Sequence, residues 1–195
     1  FVDRQNKDAL LVKLLKETDM DRVIVFTQMK HAANKVCERL QGAGIRASAI
    51  HGNKSQGART AALTGFKKGD VRVLVATDIA ARGIDVDGIT HVINYHLPLE
   101  AETYIHRIGR TARAGADGDA ISFCSADERD GLRAIERLLR KAIPVDMRHE
   151  FHSEVARQAT GAAARPPPRG GNGNGSRAHR HPRFTGSRPG RRSSR

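Results

Sequence analysis

Five short apolar runs recur along the chain with helix-like stretches between them, and this alternation constrains the fold more than any other feature. The runs are Arg22 to Phe26, Ala47 to Ile50, Val71 to Ala76, Thr90 to Tyr95 and Ala120 to Cys124. Val23-Ile24-Val25-Phe26 and Val73-Leu74-Val75-Ala76 are apolar at every position rather than at alternate ones, the pattern of a strand covered on both faces. The stretches between them carry apolar residues at helical spacing. Leu10, Leu11, Leu14 and Leu15 form one face of a first helix. His31 to Gln41 turns Ala33, Val36 and Leu40 inward and ends at Gly42 and Gly44. Ser55 is the expected N-cap of a helix through Phe66, with Ala62, Leu63 and Phe66 inward. A helix holding an arginine-rich segment separates the fourth and fifth strands. A last one, from about Asp127 to Lys141, places Leu132, Ile135, Leu138 and Leu139 on one side and is expected to stop at Pro144. Strand and helix in alternation predict an α/β fold with a mainly parallel sheet flanked by helices on both faces.

Charge divides the chain unevenly. The net charge is +13, yet the first 154 residues hold all 21 acidic residues and carry only about +3. Ten arginines and no acidic residue follow Glu154. From Gly161 the composition turns to Arg, Gly, Pro, Ser and Asn, too poor in apolar surface to offset the entropy of ordering. The expected organisation is a domain over 1–150, a linker over 151–160 and a disordered basic tail over 161–195. A cationic tail suits a polyanion, nucleic acid before membrane. Cys37 and Cys124 stand alone, without the spacing of a metal site, and are expected to be reduced. No apolar run approaches the ~20 residues of a membrane span, and a cytoplasmic setting is expected. The opening Phe1-Val2-Asp3, without an initiator methionine, leads to the expectation that the chain is a piece of something longer.

Polar residues gather where the strands end. Phe26-Thr27-Gln28, His51-Gly52-Asn53-Lys54, Thr77-Asp78 and His96-Leu97-Pro98 each follow a strand. In open α/β sheets ligands bind beyond the carboxyl ends of the strands, so the four loops form a candidate rim. Thr77 can meet a phosphate together with the backbone N–H groups after it. Gly83 permits a tight turn, and Asp85 is placed to accept from a ribose hydroxyl. Asp78 and Asp85 serve equally well as cap or turn residues. His106, Arg107, Arg110 and Arg113 crowd three guanidiniums and an imidazole into eight residues with no acidic residue in the segment. Arg110 and Arg113, three apart, are expected to share a helical face. Guanidinium suits bidentate phosphate contact, so this face is a candidate clamp on a phosphoryl-transfer transition state. A solvated basic face is the alternative.

Val23-Ile24-Val25-Phe26-Thr27, Gln56-Gly57-Ala58-Arg59, the run from Val75 to Asp85, and His106 to Arg113 resemble motifs IV, Gln-x-x-Arg, V and VI of DEAD-box RNA helicases, in that order. The resemblance covers residues from about 1 to 142 and implies the C-terminal RecA-like domain. The runs from His51 to Thr60 and from Val73 to Gly83 are similar to the bacterial RhlE-like branch. By resemblance, Arg110 and Arg113 reach the γ-phosphate of ATP, and His106 couples to the DEAD motif of the other domain. These three form the catalytic set. Gly83, Asp85, Arg110 and Arg113 are implied to face ATP. Thr27, Gly52, Gln56, Arg59, Thr77 and Asp78 are implied to face RNA, through its backbone and without reading bases. Phe26 is implied to pack behind the motif VI arginines. Met29 departs from the pattern, standing where many members carry threonine; a thioether cannot donate to phosphate.

The chain contains no Gly-x-x-x-x-Gly-Lys-Ser/Thr loop and no Asp-Glu-Ala-Asp run. The resemblance assigns both, with the magnesium ion, to an N-terminal RecA-like domain. The leading expectation is therefore the C-terminal half of an ATP-dependent RNA helicase, inactive by itself. A non-catalytic RNA-binding or annealing module with a basic tail, and a DNA-translocating relative, are the alternatives.

Overall fold

The computed structural model describes residues 1–82, 84, 86–111 and 118–166. Among the described residues, five strands form one wholly parallel sheet: β1 (Val23–Phe26), β2 (Ala47–Ile50), β3 (Val73–Ala76), β4 (His91–Asn94) and β5 (Asp119–Ser122). Their spatial order is β2-β3-β1-β4-β5. The register sets Val23 beside Val73 and His91, and Phe26 beside Ala76 and Asn94. The strands are up to two residues shorter at an end than the apolar runs, because ladder pairing stops before apolar burial does.

Alternate residues of each strand feed opposite cores, which is why the central strands are apolar throughout. Val23, Val25, Val73, Val75 and Ile93 meet Leu10, Leu11 and Leu15 of α1 (Lys7–Glu17) and Ala33, Val36 and Leu40 of α2 (Lys30–Gly42). On the other face Ile24, Leu74 and Val92 meet Ala62 and Phe66 of α3 (Gln56–Lys68) and Ala80 and Ala81 of α4 (Asp78–Ala81). A third cluster joins Tyr104 of α5 (Ala101–Ile108) to Leu132 and Ile135 of α6 (Arg129–Leu139), with Leu97 and Cys124. As expected, the Ser55 hydroxyl accepts from the Ala58 N–H at 3.2 Å. Cys37 and Cys124 are buried free thiols.

Three expectations need correction. α6 ends at Leu139, well before Pro144, because Arg140 takes a left-handed conformation (φ +50°) and the Lys141 N–H closes onto the Glu136 carbonyl. Leu138 is exposed rather than inward. The stretch 151–160, expected as a linker, carries a short helix α7 (Glu154–Gln158) and packs onto the body. There His152 bridges Val2, and Ala156 and Ala159 are buried. Order extends to a 3-10 turn at Gly161–Ala164, with Arg165 ion-paired to Asp130. Residues 167–195, most of the expected tail, lie outside the described residues. Among the described residues, no helix is long and apolar enough to cross a membrane.

Candidate nucleotide and RNA site

The chain leaves β1 toward one face, through α2, and leaves the adjacent β3 toward the other, through α4. A crevice opens at such a divergence, outside the carboxyl ends of the strands. There the structure has a cleft of about 280 Å³ lined by Phe26, Asp78, Ala81, Arg82, Thr103, His106, Arg107 and Arg110. Among the described residues, three guanidiniums and an imidazole stand against one carboxylate, so the described wall is net cationic.

Arg107 organises it. Its side chain is 1% exposed and makes a bidentate pair with Asp78, Nε to Oδ1 at 2.6 Å and Nη2 to Oδ2 at 2.9 Å. Nη1 donates to Asn94 Oδ1 at 3.1 Å and to the His96 carbonyl at 2.6 Å. The guanidinium lies 5.0 Å from the centre of the Phe26 ring, a cation–π contact. Phe26 thus packs behind a motif VI arginine, as the resemblance implies. The segment was expected to lack an acidic balance; Asp78, remote in sequence, supplies it for Arg107. Sequence reading counted this arginine among the cations and gave it no role. A fully apolar strand end facing a helical arginine was the available hint, and its partner lay 29 residues away.

α5 stops at Ile108, short of Arg110. Gly109 ends it, and the Arg110 and Thr111 N–H groups turn back to the Arg107 and Ile108 carbonyls, the tight 3-10 pattern common at helix ends. Arg110 therefore sits on a turn, and the shared helical face expected for Arg110 and Arg113 is not formed by α5. Arg110 is half-buried and donates to the Ile84 carbonyl at 3.1 Å. His106 is exposed on the last turn of α5. Gly83, Asp85 and Arg113 lie outside the described residues.

The residues expected to face RNA are presented differently from one another. Gly52 and Gln56 are exposed and Arg59 half-buried, close to the end of β2. Lys30 joins them by donating to Asn53 Oδ1 at 2.8 Å. His51 beneath is buried: its Nδ1 accepts from the Asn53 N–H, so the proton rests on Nε2, which donates to Asn34 Oδ1 at 2.9 Å. Burial lowers the His51 pKa, with Lys54 adding to it. Thr77 is buried at the start of α4. Thr27 is fully buried, its hydroxyl 3.4 Å from the Met29 carbonyl. Both Asp78 carboxylate oxygens are engaged by Arg107. Met29 is exposed at the N-cap of α2 without a capping bond, its thioether being only a weak acceptor.

Residues 6–115 match the helicase conserved C-terminal domain. The crystal structure of the E. coli DEAD-box protein SrmB bound to regulator of ribonuclease activity A is similar at a TM-score of 0.70 and 40% identity, over 78% of this chain and 94% of that one. The chain is a helicase C-terminal domain of the DEAD-box family. This DEAD-box domain is also 46% identical over 138 residues to the ATP-dependent RNA helicase RhlB of Pseudomonas syringae pv. tomato, covering 71% of itself and 35% of that relative. It is 44% identical over 140 residues to the DEAD-box ATP-dependent RNA helicase CshA of Bacillus licheniformis, covering 72% and 29%. It thus spans about a third of the length of these two curated relatives.

Proposed function

We propose that this DEAD-box domain supplies the C-terminal half of an ATP-dependent RNA helicase that unwinds or remodels RNA duplexes. One observation carries the reading: a net cationic cleft at the sheet's switch point, with Arg107 locked to Asp78 and with His106 and Arg110 on the same rim. Three arginines against one carboxylate among the described residues fit a polyphosphate better than a neutral ligand. At about 280 Å³ the cleft falls just below the ~300–1,000 Å³ of a complete small-molecule site, which suits a half-site facing a second domain. ATP bound there supplies the phosphoryl group whose transfer to water drives the cycle. The chain's own part is electrostatic. Arg110, with Arg113, meets the terminal phosphate, and His106 signals to the partner domain's DEAD segment. Gly83 and Asp85 serve the ribose side. Magnesium and the phosphate loop belong to an N-terminal RecA-like domain in this reading.

RNA crosses the neighbouring strand ends. Gly52, Gln56 and Lys30, which are exposed, and the half-buried Arg59 and Lys54 offer contacts to its backbone, independent of base sequence. Thr27 and Thr77, being buried, contribute by shaping that rim, and Asp78 by holding Arg107. The runs from His51 to Thr60 and from Val73 to Gly83 support an RhlE-like branch, and the place of action in this reading is the cytoplasm. The test is Arg110→Lys in protein carrying both RecA-like domains. RNA-stimulated ATP turnover is expected to fall by about 10³-fold, since lysine keeps the charge and loses the planar fork. Unchanged turnover would remove Arg110 from the mechanism and the reading with it.

A further inference from the structure

Tyr95-His96-Leu97 joins β4 to the loop entering α5, and every backbone polar group in it is bonded. The Tyr95 N–H donates to Ile93 O at 3.2 Å and the His96 N–H to Phe26 O at 3.2 Å. The other four groups are held by side chains from four different parts of the chain. Lys7 Nζ donates to the Tyr95 carbonyl at 2.8 Å. Arg107 takes the His96 carbonyl, Glu128 Oε1 accepts from the Leu97 N–H at 3.0 Å, and Gln28 Nε2 donates to the Leu97 carbonyl at 2.6 Å. Lys7 and Glu128 are themselves paired at 2.5 Å, with side chains 1% and 7% exposed. The remaining acceptor capacity of Glu128 is taken by the Ser125 N–H and hydroxyl.

A buried ion pair is a weak stability device, since packed apolar side chains of equal volume often do as well. Apolar side chains cannot, however, donate to one carbonyl and accept from an N–H two residues later. The pair therefore does something other than fill the core: it fixes the segment that carries the His96 carbonyl to Arg107. Resting on the reading that the cleft serves ATP hydrolysis, we infer that Lys7 and Glu128 are positioning residues. Together they hold the Tyr95–Leu97 segment, and through it Arg107, α5 and the His106–Arg110 rim, in the geometry the phosphoryl transfer needs. Neither touches the cleft. The linkage runs from α1 and the turn before α6, through three backbone residues, to the arginine at the cleft wall.

The test uses Lys7→Met and Glu128→Gln in protein carrying both RecA-like domains, with Phe66→Leu as a control that weakens a core cluster holding neither the segment nor α5. At a temperature where all variants are folded, kcat for ATP is expected to fall ~10-fold or more in K7M and E128Q at unchanged KM, since a small misplacement of reacting groups is costly. F66L keeps kcat. If K7M does not fold, the near-isosteric E128Q decides. Hydrogen exchange of the 195-residue chain adds a readout independent of turnover: amides of α5, Tyr104 to Ile108, exchange faster in K7M and E128Q and not in the control. Unchanged kcat with unchanged α5 exchange would overturn the positioning role. A wild-type protein without turnover would sink the ATP reading instead, and the exchange pattern alone would then decide whether the pair holds α5.

Discussion

Removing the carboxylate of Asp78 probes the part of the cleft on which the rest hangs. Asp78→Ala leaves the Arg107 guanidinium, 1% exposed, without its bidentate partner. Breaking a fully buried pair from one side costs about 3–5 kcal/mol. Here the Asp78 side chain is 37% exposed, so water enters the vacated place. The contacts of Arg107 to Asn94 and His96 persist. The loss is then about 2–3 kcal/mol, after discounting for solvent. For a domain of this size that is a fall in Tm of roughly 5–10 °C. Urea unfolding followed by far-ultraviolet circular dichroism reads it as a lower midpoint at unchanged m. The loss should survive 1 M salt, because a pair held this deeply is screened little. A variant within about 0.5 kcal/mol of wild type, the range of ordinary surface changes, would refute the idea that Asp78 holds Arg107 in place.

Two further outcomes follow from the local chemistry. Burial, with Lys7 next in effect, pushes the His96 imidazole down to about 4, while Glu128 opposes and Arg4 and Arg107 add to the lowering. Between the ordinary 6.5 and about 4 the unfolded chain takes up a proton that the folded one refuses, so stability falls on acidification across that window, by at most about 3 kcal/mol. His96→Gln should flatten the stability–pH curve there; an identical curve would count against the buried neutral histidine. At the end of α6, Arg140 holds φ +50°, a conformation disfavoured for any residue with a Cβ. Arg140→Gly should raise the unfolding free energy, read by urea titration, by about 0.5–1 kcal/mol, and a decrease would show that the arginine side chain contributes more than its strain costs.

The sheet was legible because its physics is local. Val23 to Phe26 and Val73 to Ala76 must be covered on both sides, and the strand-end loops then point to one rim. Ser55 as a cap follows from one hydroxyl at the right offset. The helix around Arg110 was misread because periodicity continues past Gly109 while the backbone does not. The linker reading of 151–160 failed for a related reason. Small residues such as Ala156 and Ala159 bury against the body while contributing little apolar signal. What could not be read were the pairings across the chain. Asp78 with Arg107, and Lys7 with Glu128 some 121 residues apart, each look like ordinary surface charges until the fold brings them together.

The most direct measurement is ATP turnover with and without RNA, by the purified 195-residue chain and by the same chain joined to an N-terminal RecA-like domain carrying the phosphate loop. The expected result is no turnover from the chain alone and RNA-stimulated turnover once joined, abolished by replacing Arg110. Turnover by the 195 residues alone, or none from the joined protein, would contradict the proposal that the cationic cleft is half of an ATP site.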